Sequence, residues 1–267
     1  MGGPMSANAT IDKLLDMKLK AMAENFRIQL NDQKMSELSF EARFAILVEA
    51  EFSSRHNSKL KRMISTADFE LPSASLYDIN YTSGRKLNQE LITKLGTCQF
   101  IKDNLNVIIT GATGSGKTFL ACALGIEACK KFYSTKYIRM PDLLLDLELS
   151  KDKKDSRKEL EKYVKPSLLI VDDWLIYNVE HSLMPELFSI VHGRYNKKST
   201  ILCSQVKVEG WYQQMTSKSS PLTDAIMDRI IHNSYKIDIT AINQNCDLSM
   251  REVYGLKFNN DESKTCE

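Results

Sequence analysis

Gly111-Ala112-Thr113-Gly114-Ser115-Gly116-Lys117-Thr118 fits the pattern Gly-x-x-x-x-Gly-Lys-Ser/Thr, and its flanks decide the fold. Upstream, Asn106-Val107-Ile108-Ile109-Thr110 is a short β-branched run that predicts a buried strand. Downstream, the stretch from Phe119 to Ala128 predicts a helix. Strand, glycine loop and helix in that order form a phosphate cradle. The glycines let the backbone bend into a nest whose N–H groups point inward. The first turn of the helix adds unpaired N–H donors and the positive end of its dipole. Lys117 has the reach for the β- and γ-phosphates, and the Thr118 hydroxyl is a ligand for Mg²⁺. A chance glycine turn is the alternative, and both flanks argue against it. The cradle residues are therefore Gly111, Ala112, Thr113, Gly114, Ser115, Gly116, Lys117 and Thr118.

Beyond the loop, apolar strands alternate with helical stretches. Strand candidates are 106–110, 135–139, 167–171, 199–204 and 235–239. Helical stretches fall near 117–131, 142–149, 156–163, 184–196 and 221–232. This alternation predicts an α/β fold with a parallel sheet covered on both faces. Ligands of such sheets bind beyond the carboxyl ends of the strands.

Two polar groups fall at those ends. Leu168-Leu169-Ile170-Val171-Asp172-Asp173 is four apolar residues followed by two acids. Asp172 suits a Mg²⁺ held through coordinated waters. Asp173 suits orienting or deprotonating an attacking water. Many ATPases carry Glu there, and Asp is shorter by one methylene, roughly 1.5 Å of reach. That departure bears on the hydrolysis rate, because catalysis depends on near-attack geometry. A strand ending in a solvated turn is the alternative. Ser199-Thr200-Ile201-Leu202-Cys203-Ser204-Gln205 is a further strand with a polar end. Ser204 or Gln205 is a candidate sensor of the γ-phosphate. Asp224-Ala225-Ile226-Met227-Asp228-Arg229 lies in the last helical stretch. Arg229 there reads either as a surface salt link to Asp224 or Asp228 or as an arginine finger for a neighbouring subunit. Spacing alone does not choose.

Composition sets outer bounds. The chain has 267 residues, enough for one or two domains, and 43% hydrophobic content, enough for a core. A net charge of +2 means that any nucleic-acid contact comes from a local basic patch. No apolar run suffices to span a bilayer and no secretory signal is visible. Six cysteines without C-x-x-C spacing read as reduced, buried thiols of a cytoplasmic protein. Gly2 and Ser6 match a myristoylation pattern. Met5 favours instead a short leader before the native start, and no membrane role is expected.

From Ile11 to Leu30, apolar residues at Ile11, Leu15, Leu19, Met22, Phe26 and Leu30 describe one face of a helix. A second helix begins after Ser39 and continues into Arg55, His56, Lys59, Lys61 and Arg62. These cations are either a solvated helix end or a surface that follows a phosphate backbone. The expected organisation is a leader over 1–9, a small helical domain over 10–66 and a linker over 67–80. An ATPase core follows over 81–240, then a tail over 241–267. Within the core's start, residues 81–100 have helical spacing, and Arg85-Lys86-Leu87-Asn88 is placed either beside the nucleotide or on a surface helix.

Taken together, these residues resemble the IstB-like ATP-binding helper proteins of insertion sequences, AAA+ ATPases close to the DnaC helicase loaders. The resemblance runs from about Ile11 to Arg251. It is carried by Leu38-Ser39-Phe40-Glu41-Ala42-Arg43-Phe44, by both nucleotide motifs, and by Thr200 to Gln205 with Val208-Glu209-Gly210-Trp211. It is also carried by the helix ending in Asp228-Arg229 and by Ser249-Met250-Arg251. It implies an AAA+ P-loop NTPase core behind a small all-helical domain, without a full C-terminal lid. About thirty residues after the last strand are too few for one. It implies ATP and Mg²⁺ as cofactors and self-association through ATP-bridged interfaces, each Arg229 reaching its neighbour's nucleotide. It further implies assembly on duplex DNA and recruitment of a partner transposase. Lys117, Asp173 and Arg229 are then the catalytic residues, Thr118 and Asp172 the metal arm, and Gln205 the sensor where Asn is usual. Arg55, Lys59, Lys61 and Arg62 are the DNA-contact candidates, and Arg251 a candidate second sensor. A helicase loader, a DNA-coating protein that binds ATP with little turnover, and a small-molecule kinase are the competing functions.

Overall fold

The computed structural model describes residues 7–81, 85–151, 156–215 and 221–241. The leader over 1–6, Ser249-Met250-Arg251 and the rest of the tail beyond 241 lie outside the described residues. By its contacts the chain divides into two units, Met1–Arg62 and Met63–Glu267. The division falls inside a helix, four residues before the domain end expected at residue 66.

The first unit holds helices α1 (Ala7–Asp16) and α2 (Lys20–Asn31) and most of α3 (Phe40–Ala67). The sequence pattern predicts one helix across Ile11–Leu30, and the structure breaks it. Lys18 takes a left-handed φ of 61°. Its N–H bonds to Leu15 O at 2.8 Å, and that of Leu19 bonds to Leu14 O at 2.8 Å. This paired closure is a Schellman helix end. With lysine in place of the usual glycine, composition gave no sign of it. The turn is secured from α3. Buried Glu51 accepts from the Met22 amide at 3.1 Å, inside the first turn of α2, where unpaired donors need an acceptor. Burial opposes the Glu51 charge, but Arg55 and the Met22 amide hold its carboxyl below the usual range.

In the second unit five parallel strands alternate with helices. A short strand β1 (Arg85–Lys86) is followed by α4 (Gln89–Gly96) and α5 (Gln99–Lys102), then β2 (Asn106–Gly111) and α6 (Lys117–Lys130). Next come β3 (Thr135–Arg139), α7 (Met140–Ser150), α8 (Ser156–Val164) and β4 (Leu168–Asp172). The unit continues with α9 (Met184–Arg194), β5 (Ser199–Ser204), α10 (Trp211–Met215), α11 (Pro221–Ile231) and β6 (Ser234–Ala241). The sheet order is β1-β6-β2-β5-β4-β3, with β1 alone antiparallel. This is the parallel α/β sheet that the alternation predicts.

The strand with the glycine loop at its end, β2, is central, which is why its middle residues Val107, Ile108 and Ile109 are all buried. Helix α6 packs flush against the sheet. It is lined with small residues, and a Cβ added at Gly125 would lie 2.5 Å from Phe69 and 2.7 Å from Ile170. Phe69 belongs to the stretch expected as a linker. Ala67, Phe69 and Ala74 are in fact buried, so 67–80 is part of the packed unit. Leu71-Pro72 and its serines gave turn signals that masked this. Residues 81–100 also differ from a continuous helix. Asn88 caps α4 by accepting from the Leu91 amide at 3.0 Å, and Cys98 at φ 59° separates α4 from α5.

Candidate functional site

The glycine loop bends as its sequence requires. Gly114 and Gly116 have φ of 73° and 92°, a region that side chains with a Cβ rarely enter. Gly116 then hands the chain to α6, so Lys117 opens the helix and its first-turn amides face the loop. Lys117 is buried, and its ammonium donates to Gly111 O at 2.8 Å and Ala112 O at 2.7 Å. Burial lowers its pKa, and the charges of Asp172 and Asp173 oppose that shift.

Beside the loop, β4 ends in Asp172, a buried carboxylate with donors on both oxygens. Thr118 Oγ1 donates to Oδ2 at 2.6 Å and Tyr137 Oη to the same oxygen at 2.9 Å. The Asp173 amide donates to Oδ1 at 2.8 Å. A hydroxyl and a carboxylate side by side at the strand ends are hard oxygen donors that fit Mg²⁺. Among the described residues no group of three or more His, Cys, Asp or Glu side chains could hold a metal. A Mg²⁺ bound through one carboxylate and substrate phosphates needs no such group. Burial and the Asp172 charge push Tyr137 well up, so it remains a protonated donor.

Asp173 has a left-handed φ of 52°. Its Oδ2 accepts from Arg139 Nε at 3.2 Å and Nη2 at 3.1 Å. Parallel pairing of β3 with β4 sets Arg139 opposite Asp172 and so within reach of the next residue. On the other flank Thr113 Oγ1 donates to Gln205 Oε1 at 2.7 Å, tying the loop to the end of β5. Of the two sensor candidates, Ser204 is closed off. It is buried, donates to Trp174 O at 2.7 Å and accepts from the Val206 amide at 3.1 Å.

These groups border a cavity of ≈ 640 Å³. Residues 113–118, Asp172, Asp173 and Gln205 line its polar side, and Leu71, Ile79, Leu87, Ile92 and Ile239 add an apolar wall. Such a division suits a molecule with a polyanionic tail and a flat apolar base. Leu71 and Ile79 come from the stretch expected as a linker, Leu87 and Ile92 from residues 81–100, and Ile239 from β6. Leu87 lines the cavity, one of the two placements open to Arg85-Lys86-Leu87-Asn88, whereas Tyr137, Arg139 and the rest of this wall escape sequence reasoning, because only strand register and tertiary packing bring them to the loop.

Arg229 sits elsewhere. Its carbonyl accepts from Asn106 Nδ2 at 3.5 Å, so it lies beside the start of β2, whereas the loop follows that strand's end. Six residues at ~3.3 Å each separate the two ends by roughly 17–20 Å. Among the described residues no ion pair links Arg229 to Asp224 or Asp228; Asp228 meets His232 instead, at 3.4 Å. Arg229 Nη1 donates to Ala225 O at 2.7 Å, and the guanidinium lies 5.2 Å from the Phe188 ring centroid and 5.5 Å from that of Tyr195.

Arg55, Lys59, Lys61 and Arg62 are exposed on α3 in the first unit. Steps of four and three put Arg55, Lys59 and Arg62 on one face, with Lys61 about a third of a turn away. Arg55 is partly committed to the fold, bonding Glu51 at 2.7 Å and Lys18 O at 3.2 Å.

Comparison with known proteins gives a consistent picture. A family model described as IstB-like ATP binding protein matches residues 12–249. An insertion sequence ATP-binding protein of Sinorhizobium fredii is 33% identical over 236 residues, covering 88% of this chain and 95% of that protein. The insertion sequence IS1162 ATP-binding protein of Pseudomonas fluorescens is 33% identical, covering 76% of this chain and 87% of that one. Among solved structures, DnaI has a TM-score of 0.55 at 21% identity, covering 67% of this chain and 94% of DnaI. AMPPCP-bound DnaA from Aquifex aeolicus has a TM-score of 0.52 at 21% identity, covering 74% of this chain and 59% of DnaA.

Proposed function

The chain belongs to the IstB-like ATP-binding proteins, and from that premise we propose that it is an ATP-dependent AAA+ switch serving insertion-sequence transposition. It hydrolyses ATP, assembles on duplex DNA through ATP-bridged interfaces, and recruits and activates a partner transposase. The observation that carries the ATPase reading is the 2.6 Å contact between Thr118 and Asp172, which joins the phosphate loop to the metal arm. The names of the relatives, insertion sequence ATP-binding proteins, support the transposition setting. The cytoplasm is its proposed compartment. Cys98, Cys122, Cys129 and Cys203 are free and buried, as thiols there are kept. Burial pushes Cys98 up to about 11 and Cys122 up to about 12, so both stay inert.

In this mechanism the loop amides and Lys117 grip the phosphate tail. Thr118 and Asp172 are the residues that would hold a Mg²⁺, which would supply neutralisation of the phosphate charge. Asp173 orients the attacking water and takes its proton. Arg139 holds that carboxylate in place through two hydrogen bonds to Oδ2, at 3.2 and 3.1 Å. Gln205, anchored through Thr113, faces the γ-phosphate end of the loop.

Asp173→Asn is expected to lower turnover about a hundredfold or more while leaving ATP affinity intact. Phosphate-release assays beside calorimetry read both quantities. Unchanged turnover would pass the role of base to another group.

The test of the whole proposal is electron microscopy with an ATP analogue, with and without duplex DNA, alongside ATPase assays. Ordered assemblies on DNA and DNA-stimulated turnover are expected. Absence of turnover with DNA and Mg²⁺ would favour a DNA-coating protein. For the DNA surface, exchanging Lys59, Lys61 and Arg62 for Gln is expected to flatten the salt dependence. Each lost phosphate contact reduces the slope of log K against log salt by about 0.9. An unchanged slope would move the DNA surface off α3.

A further inference from the structure

The guanidinium of Arg229 lies beside two aromatic rings, and neither belongs to the nucleotide motifs. Phe188 on α9 lies 5.2 Å from it and Tyr195, just past the end of α9, lies 5.5 Å from it. Both distances are within the range in which a ring face attracts a guanidinium. We propose that Phe188 and Tyr195 are positioning residues, an aromatic clamp that holds Arg229 in the orientation a neighbouring subunit's γ-phosphate requires. This rests on the assignment of Arg229 as an arginine finger.

Each part of the clamp is itself fixed. Phe188 packs partly buried against the hydrophobic core and stacks on His192, one helical turn along, at 5.5 Å and 15°. Tyr195 is set by its neighbour. Arg194 is buried and donates to Tyr163 O at 2.8 Å, Val164 O at 3.2 Å, Pro166 O at 2.9 Å and Thr200 Oγ1 at 2.9 Å, and to Ser199 O. That staple locks the turn between α9 and β5 and leaves Tyr195 38% exposed, turned outward with its ring near Arg229. Arg229 Nη1 is anchored to Ala225 O at 2.7 Å, while Nε is buried without a hydrogen-bond partner. The side chain thus has one hydrogen-bonded anchor and two ring walls. No carboxylate pairs with it in the described structure, which leaves its charge for an anion outside the subunit.

A long flexible side chain loses much rotamer freedom when it engages a ligand. Ring walls that restrict it beforehand reduce what is lost at the interface. The clamp also explains the residue types. Leucine at either position would keep apolar volume but offer no π face to a cation.

The experiment compares Phe188→Leu, Tyr195→Leu and Arg229→Ala in the full chain. Three readouts are taken: ATP binding by calorimetry, ATP turnover, and turnover after mixing with Lys117→Ala subunits, which carry an intact clamp and Arg229. Each leucine variant is expected to lower turnover at least tenfold with unchanged ATP affinity. Mixing is expected to restore part of it, because the variant's own nucleotide site then receives an intact finger. Tyr195→Phe, which keeps the ring, is expected to retain most turnover. Leucine variants that turn over like the parent while Arg229→Ala does not would overturn the clamp and leave the finger standing. Leucine variants that lose ATP affinity, or that mixing fails to restore, would also overturn it, showing a structural role. Normal turnover in Arg229→Ala would instead overturn the finger assignment, and the clamp with it.

Discussion

Lys117→Ala is expected to abolish useful ATP binding, raising the dissociation constant at least a hundredfold. The ammonium lies at the closed end of the loop, and its partners there are backbone carbonyls of Gly111 and Ala112. Charge-assisted hydrogen bonds are worth about 1.5–3 kcal/mol each. Losing two to a phosphate tail therefore costs about 3 kcal/mol or more, and a hundredfold in affinity corresponds to about 2.7 kcal/mol. The variant also strands two loop carbonyls that the ammonium now satisfies, which loosens the cradle independently of any charge lost. Calorimetry with ATP and Mg²⁺ measures the first effect, and thermal unfolding without nucleotide measures the second. If unfolding is unchanged and binding persists, the loop is not a triphosphate cradle and the proposed ATPase falls with it.

How much of this was legible in the sequence depends on the range of the interaction concerned. The sheet was legible because strand-forming runs alternate with helical stretches, and the middles of β2, β4 and β5 are unbroken apolar runs, a property of consecutive residues. β3 and β5 have the bounds that the pattern predicts, Thr135–Arg139 and Ser199–Ser204. The loop was legible because its glycines act through their own backbone and the Lys117 ammonium bonds carbonyls only five and six residues before it. What failed was decided by geometry between distant residues. The break at Lys18 is a hydrogen-bonding arrangement that lysine adopts without advertising it. The burial of Phe69 depends on the gap that Gly125 leaves on α6, fifty-six positions later in the chain.

The same distinction runs through the candidate site. Asp172 announces itself at the end of an apolar run, but Tyr137 and Arg139, which touch Asp172 and Asp173, do so only through the register of β3 against β4. Ser204 and Gln205 are equivalent in sequence as polar residues at a strand end. The alternation of a strand turns one into the core and the other toward the loop. For Arg229 the salt link and the finger were equally open. The described structure gives it rings and a carbonyl in place of a carboxylate.

Arg229→Ala should therefore separate binding from turnover more sharply than any other substitution in the chain. The residue lies at the far end of β2 from the loop, so it has no means of touching its own subunit's nucleotide. ATP affinity of the isolated subunit is expected to stay within twofold of the parent. Turnover in the assembly is expected to fall about a thousandfold, the lower end of what an arginine supplied to a phosphoryl-transfer site contributes. ATP-dependent assembly should weaken as well, because a γ-phosphate shared between subunits loses its cation on one side. Neither Arg229→Ala nor Lys117→Ala subunits should turn over alone, yet a mixture should. Each Arg229→Ala nucleotide site that borders a Lys117→Ala subunit receives an intact arginine. The recovered rate should peak near equal proportions and vanish at both extremes. No recovery in the mixture at any proportion would mean that each subunit works alone. The bridging geometry of the proposed switch would then be wrong even if the nucleotide site is right.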